Sequence, residues 1–114
     1  MKTRYYLRLP DAKLARGSDP ALAFRSESAE GFAEELQSAL RTTALFEKWK
    51  RAQPEPDDVD DSLAAIDAEA RVTGEQIDLH VDLVATTSLP GTVFKHRLRL
   101  LAGSNWQLRD VTAG

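Results

Sequence analysis

Two histidines are the side chains of this 114-residue chain whose ordinary pKa lies near neutrality, and they are the first place to look for proton chemistry. In Asp78-Leu79-His80-Val81-Asp82 the alternation of a strand puts His80 between two carboxylates on one face, the arrangement of a polarised general base. No serine, threonine or cysteine nucleophile stands near it in a recognisable motif, so a solvated histidine among charges is the simpler reading. His96 falls between Phe94 and Leu98 on the apolar parity of its own segment. A buried histidine takes a hydrogen bond and stays neutral. Asp110, on the same parity near the C-terminal end, is its expected structural partner, with a catalytic pair as the sharper alternative.

Charge supplies the remaining candidates. Lys95, Arg97 and Arg99 alternate with apolar residues, and Arg109 follows on the next apolar segment. As a strand face they would form a basic row, which is one way small β domains hold phosphate backbones. Asp78 and Asp82 on the preceding segment could equally neutralise them as an ion-pair ladder, and no aromatic residues are interleaved for base stacking. Phe46 and Trp49, among Lys48, Lys50 and Arg51, combine aromatic and basic side chains as interface anchors do, although core packing explains them as well. The acidic run Glu55–Asp61 lacks the glycine and the Asp-x-Asp-x-Asp-Gly spacing of a calcium loop. His80 and His96 should point to opposite faces, so no metal site is expected, and no cofactor fingerprint is present.

The chain contains no cysteine, which excludes disulfides, thiolate nucleophiles and thiolate metal sites and suits an intracellular, cytoplasmic setting. No apolar run approaches the roughly 20 residues that cross a bilayer, and no apolar stretch follows Lys2, Arg4 and Arg8 as in a secretory leader. The net charge of −3 gives no global reason to expect nucleic acid. Its distribution is uneven: residues 1–25 carry +4, residues 26–75 carry −8 and residues 76–114 carry +1.

These residues must be positioned by a single domain spanning 1–114. Tyr5, Leu7 and Leu9 alternate with Arg4, Tyr6 and Arg8, predicting a strand over 3–9 that Pro10 ends and that adds to a sheet edge. Leu22 and Phe24 suggest a short second strand within the 1–27 region. Ser28 is a helix N-cap, and Phe32, Leu36, Ala39, Leu40 and Thr43 form one stripe, predicting a helix over 29–41. A second helical piece follows at about 44–52, continuous with the first or separate, so 28–53 is helical overall. Two prolines and five acids between 54 and 61 make 54–62 a solvated connector.

Residues 63–112 read as four strands in a meander: Ile66–Val72, Ile77–Leu83, Phe94–Leu100 and Trp106–Leu108. Gly74-Glu75 would centre a tight turn, Asp82, His80 and Asp78 would face Lys95, Arg97 and Arg99, and Gly103-Ser104-Asn105 would join the last two strands. The expected fold is α+β: a strongly twisted antiparallel meander of four to six strands, barrel-like in curvature, packed on the helix of the N-terminal half.

In element order this is similar to small Sm-like barrels and to cystatin-like or NTF2-like sheets that clasp a helix. An Sm-like barrel would have one helix followed by five strands, and an NTF2-like sheet a longer helical portion. The first functional expectation is a small non-enzymatic interaction module, a homo-oligomer and most simply a dimer, joined through an edge strand or the Phe46–Trp49 segment. The alternatives are a nucleic-acid-binding domain using Lys95, Arg97, Arg99 and Arg109, and a ligand-binding or enzymatic cone around His96.

Overall fold

A computed structural model describes all residues, Met1–Gly114. Seven elements follow in order: β1 (Thr3–Leu9), α1 (Ala29–Arg41), α2 (Ala44–Arg51), β2 (Arg71–Ile77), β3 (His80–Thr87), α3 (Gly91–Ala102) and β4 (Gln107–Ala113). The strands form one open antiparallel sheet in the order β2-β3-β1-β4. β1 and β2 thus flank β3, connected through α1, while β3 and β4 flank β1, connected through α3. These are two interleaved split βαβ units. The protein is α+β as its pattern implies, but the sheet is not closed and is not a meander.

The predicted α1 is present with the expected bounds. Ser28 caps it, its hydroxyl accepting from the Gly31 amide at 3.0 Å, and Phe32, Leu36, Ala39 and Leu40 are buried. Thr42 is extended, with φ −131° and ψ 163°, so α1 and α2 are separate helices. The acidic connector folds into two short 3-10 turns, Pro56–Asp58 and Asp61–Ala64.

The main correction concerns 93–100. This segment lies within a helix, and the helix rather than a strand carries Lys95, His96, Arg97 and Arg99. Val93, Phe94, Arg97, Leu98, Leu101 and Ala102 are buried, a helical spacing interrupted by one arginine. Pro90 precedes the helix and Gly103, at φ 65°, ends it in a conformation that disfavours side chains with a Cβ. Gly103 is therefore a helix stop, not the start of a hairpin loop.

Other expectations shift with it. β1 lies inside the sheet between β3 and β4, not at an edge. Gly74 and Glu75 sit within β2, and the β2–β3 turn falls at Asp78-Leu79, where Asp78 has φ 53°. Gly74 is needed because any Cβ there would run into the Ala29 carbonyl at the start of α1. Residues 65–70 precede β2 rather than forming a strand, and Leu22–Phe24 are buried but not in a strand.

The core occupies the layer between the sheet and helices α1 and α3. Tyr5 stacks on Phe94 with centroids 4.2 Å apart, tying β1 to α3, and Phe24 meets Phe32 edge-on at 5.0 Å. The long 10–28 connection is held down by the Leu101 carbonyl, which accepts from the amides of Gly17 at 3.0 Å and Phe24 at 2.9 Å. All of this packing lies on one side of the sheet.

Candidate functional site

The other side of the sheet bears no helix. Because Tyr5, Leu7 and Leu9 turn inward, strand alternation turns Arg4, Tyr6 and Arg8 outward from the middle of the sheet. The registers set their neighbours in rows. Arg71, Thr86, Arg4 and Thr112 form one row; Thr73, Val84, Tyr6 and Asp110 form the next; Glu75, Asp82, Arg8 and Gln107 form the third. A register shift between Tyr6 and Leu7 leaves Arg109 as an extra residue in β4, a β-bulge. Arg109 joins Tyr6, Arg8, Glu75, Asp82 and Asp110 around a shallow depression of about 440 Å³ on this face.

Its electrostatics are organised by one ion pair. Arg8 holds Asp82 with two donors, Nε to Oδ1 at 2.9 Å and Nη2 to Oδ2 at 3.3 Å. Hydrogen bonding from Arg8 lowers the Asp82 pKa, and the same bond raises that of Arg8. Asp82 therefore faces Arg8 across the β1–β3 ladder, not Lys95 as the meander register implied. His80 Nε2 lies 3.6 Å from Asp82 Oδ1, beyond a good hydrogen bond, and is buried without another partner. Beside Tyr6, the nearness of Arg4 first and then of Thr112 lowers the phenol pKa. At the β4 bulge, the Asp110 carboxylate accepts from the Val111 amide at 2.8 Å.

The basic row read from the sequence is dispersed. Arg97 is fully buried: Nη1 donates to the Ala39 carbonyl at 2.7 Å, and Nη2 to those of Leu63 and Ala65 at 2.7 and 2.8 Å. Lys95 and Arg99 lie on α3, on the helical side of the sheet, and Arg109 alone belongs to the open face. These four residues form no common binding surface.

The aromatic candidates are also placed differently. Phe46 is buried, and Trp49 packs on it at 5.7 Å and edge-on to His96 at 4.4 Å. His96 is half-buried between helices rather than on a sheet, its Nδ1 has no partner, and the expected bond to Asp110 is absent. Burial, then the charges of Arg97 and Arg99, lower its pKa. No helix is long and apolar enough to cross a membrane.

Sequence reasoning missed the centrality of Arg4, Tyr6 and Arg8, although their alternation was plain. The missing information was that β1 pairs on both sides, which places them at the middle of a face. The chain matches no protein-family model, no curated protein and no solved structure.

Proposed function

We propose that this protein is a non-catalytic interaction module that works by associating with itself. The observation that carries the proposal is the uncovered sheet face, four strands wide, with Tyr6 at its centre. A sheet face of this width with a central aromatic and β-branched Thr73, Val84, Thr86 and Thr112 suits packing against another surface. Catalysis is disfavoured by the same geometry. Asp82 is engaged by Arg8 and does not hydrogen-bond the His80 imidazole, leaving that ring without the orienting partner a general base needs.

Sedimentation velocity across a wide concentration series tests the proposal. The expected result is a reversible shift of the weight-average sedimentation coefficient from monomer toward dimer. A species that stays monomeric up to millimolar concentration overturns it.

A second reading has its own observation. Tyr6 between Arg4 and Arg8 is a stacking platform with flanking cations, which single-stranded nucleic acid could use. Glu75, Asp82 and Asp110 oppose it on the same face. Fluorescence anisotropy with a labelled oligonucleotide should then show binding that weakens steeply with salt; no binding at low ionic strength ends this reading.

A further inference from the structure

The charges of the open face are distributed so that the face complements itself under one particular twofold axis. With the strands upright and the face toward the viewer, the acidic side chains of the third row, Glu75 and Asp82, occupy the β2–β3 half. The basic Arg8 and Arg109 occupy the β1–β4 half. Turning a second copy over about an axis parallel to the strands, between β1 and β3, exchanges these halves and keeps every row at its own height.

Asp82 then lies over the second copy's Arg8, and Glu75 over its Gln107 and Arg109. In the middle row Tyr6 lies over Val84, and Thr73 over Asp110. In the remaining row Arg4 lies over Thr86, and Arg71 over Thr112. No like charges meet. The other face-to-face twofold, perpendicular to the strands through the Tyr6 row, stacks Arg4 on Arg8 and is disfavoured by repulsion.

We infer that two copies of this chain pack their open sheet faces together about the strand-parallel axis, forming a two-sheet sandwich with helices on the outside. The interface deepens and rests on the self-association proposed above. It replaces both the edge strand and the Phe46–Trp49 segment as the contact. Phe46 is spent in the core. The β2 edge is partly engaged by α1, whose Gln37 Oε1 accepts from the Val72 amide at 3.0 Å. On the β4 edge, the bulge and the Asp110–Val111 bond interrupt the ladder, as protected edges do.

Size sets the strength. Four strands about 4.8 Å apart and seven residues long make a face of about 19 by 24 Å. Both copies together cover roughly 900 Å² before side-chain relief is counted, at the lower end for specific contacts. The central Arg8–Asp82 pairs must also lose water on association. A reversible dimer with fast exchange is the outcome.

Glu75→Arg and Arg109→Glu test the axis by sedimentation velocity, with thermal melts as the folding control. Neither residue takes part in the Arg8–Asp82 pair, and both are exposed. Glu75→Arg removes a carboxylate directly opposite Asp82 in the β2–β3 ladder, so it should leave the monomer as stable or more so. In the dimer it sets arginine over arginine, and dissociation should become at least tenfold easier. Arg109→Glu should weaken self-association similarly.

An equimolar mixture of the two variants restores opposite charges at both peripheral contacts, and heterodimer should form at near wild-type affinity. Wild-type dimers that persist unchanged in both variants overturn this interface while leaving self-association intact. So does a mixture that fails to recover. A monomeric wild type removes self-association itself.

Discussion

Arg97 shows how a charged side chain can serve architecture alone. It is fully buried, and three backbone carbonyls rather than a carboxylate receive its guanidinium. One of them, Ala39, lies in the last turn of α1, where unpaired carbonyls and the helix dipole concentrate negative potential. The other two belong to the second 3-10 turn, Asp61–Ala64, and the residue after it. Arg97 therefore fastens α3, α1 and that turn at one point. Arg97→Met keeps much of the apolar stem but strands the carbonyls. Each unsatisfied buried acceptor costs about 1–3 kcal/mol, so a loss of roughly 3 kcal/mol or more is expected, measured as a fall in the urea midpoint. His96 makes the opposite kind of contribution. Its pKa is lowered from 6.5, chiefly by burial, so the folded state holds it neutral while the unfolded chain binds a proton more readily. Stability from this residue is complete above about pH 6.5 and is lost as pH falls through the lowered value. Melting temperatures recorded between pH 8 and pH 5 should decline in the wild type, and His96→Phe should flatten that part of the profile.

At the level of elements, periodicity separated into cases the sequence could and could not decide. In α1 the cap at Ser28 and an apolar stripe agreed, and β1 alternated without interruption, so both were legible. β3 was legible only from His80 to Leu83, because the alternation from Ile77 runs straight through the Asp78-Leu79 turn and stops short of Thr87. α3 was not. Phe94, His96, Leu98 and Leu100 alternate like a strand, while Phe94, Leu98, Leu101 and Ala102 also fall at i, i+4, i+7 and i+8, so the segment carries both periodicities and the strand reading kept Arg97 out of the core. Nothing local tells an arginine that its guanidinium will donate to the backbone carbonyls of residues 39, 63 and 65. Pro90 before the segment and Gly103 after it were the local clues to a helix. The candidate site was illegible for a related reason. Arg4, Tyr6 and Arg8 were visibly one face of a strand, but only the pairing of β1 with both β3 and β4 makes that face central. Asp67 is a further example of a role that emerges only in space. It accepts from the Thr87 hydroxyl and the Ser88 amide, each at 2.9 Å, and closes the end of β3 against the approach to β2.

For the whole molecule, the split arrangement determines how the chain must come together. β1, formed by residues 3–9, has no sequence neighbour in the sheet: its partners are residues 80–87 and 107–113. The central strand is thus stitched in by segments some 70 to 110 residues away, and loop closure must precede most of its ladder bonds. Yet the two ends of the chain finish side by side, the Gly114 amide donating to the Lys2 carbonyl at 2.9 Å. A short glycine-rich link between them, with a new opening in the acidic connector between its two 3-10 turns at Val59-Asp60, would convert β4 and β1 into a hairpin, keep the β2–β3 hairpin and leave every layer unaltered. Stopped-flow refolding of that circular permutant should be faster than that of the unpermuted 114-residue chain, because its largest entropic closure has become local. An unchanged refolding rate would mean that the β1–β4 pairing forms after the rate-limiting barrier. The adjacency of the two ends thus makes the order of assembly, as distinct from the final packing, open to rearrangement.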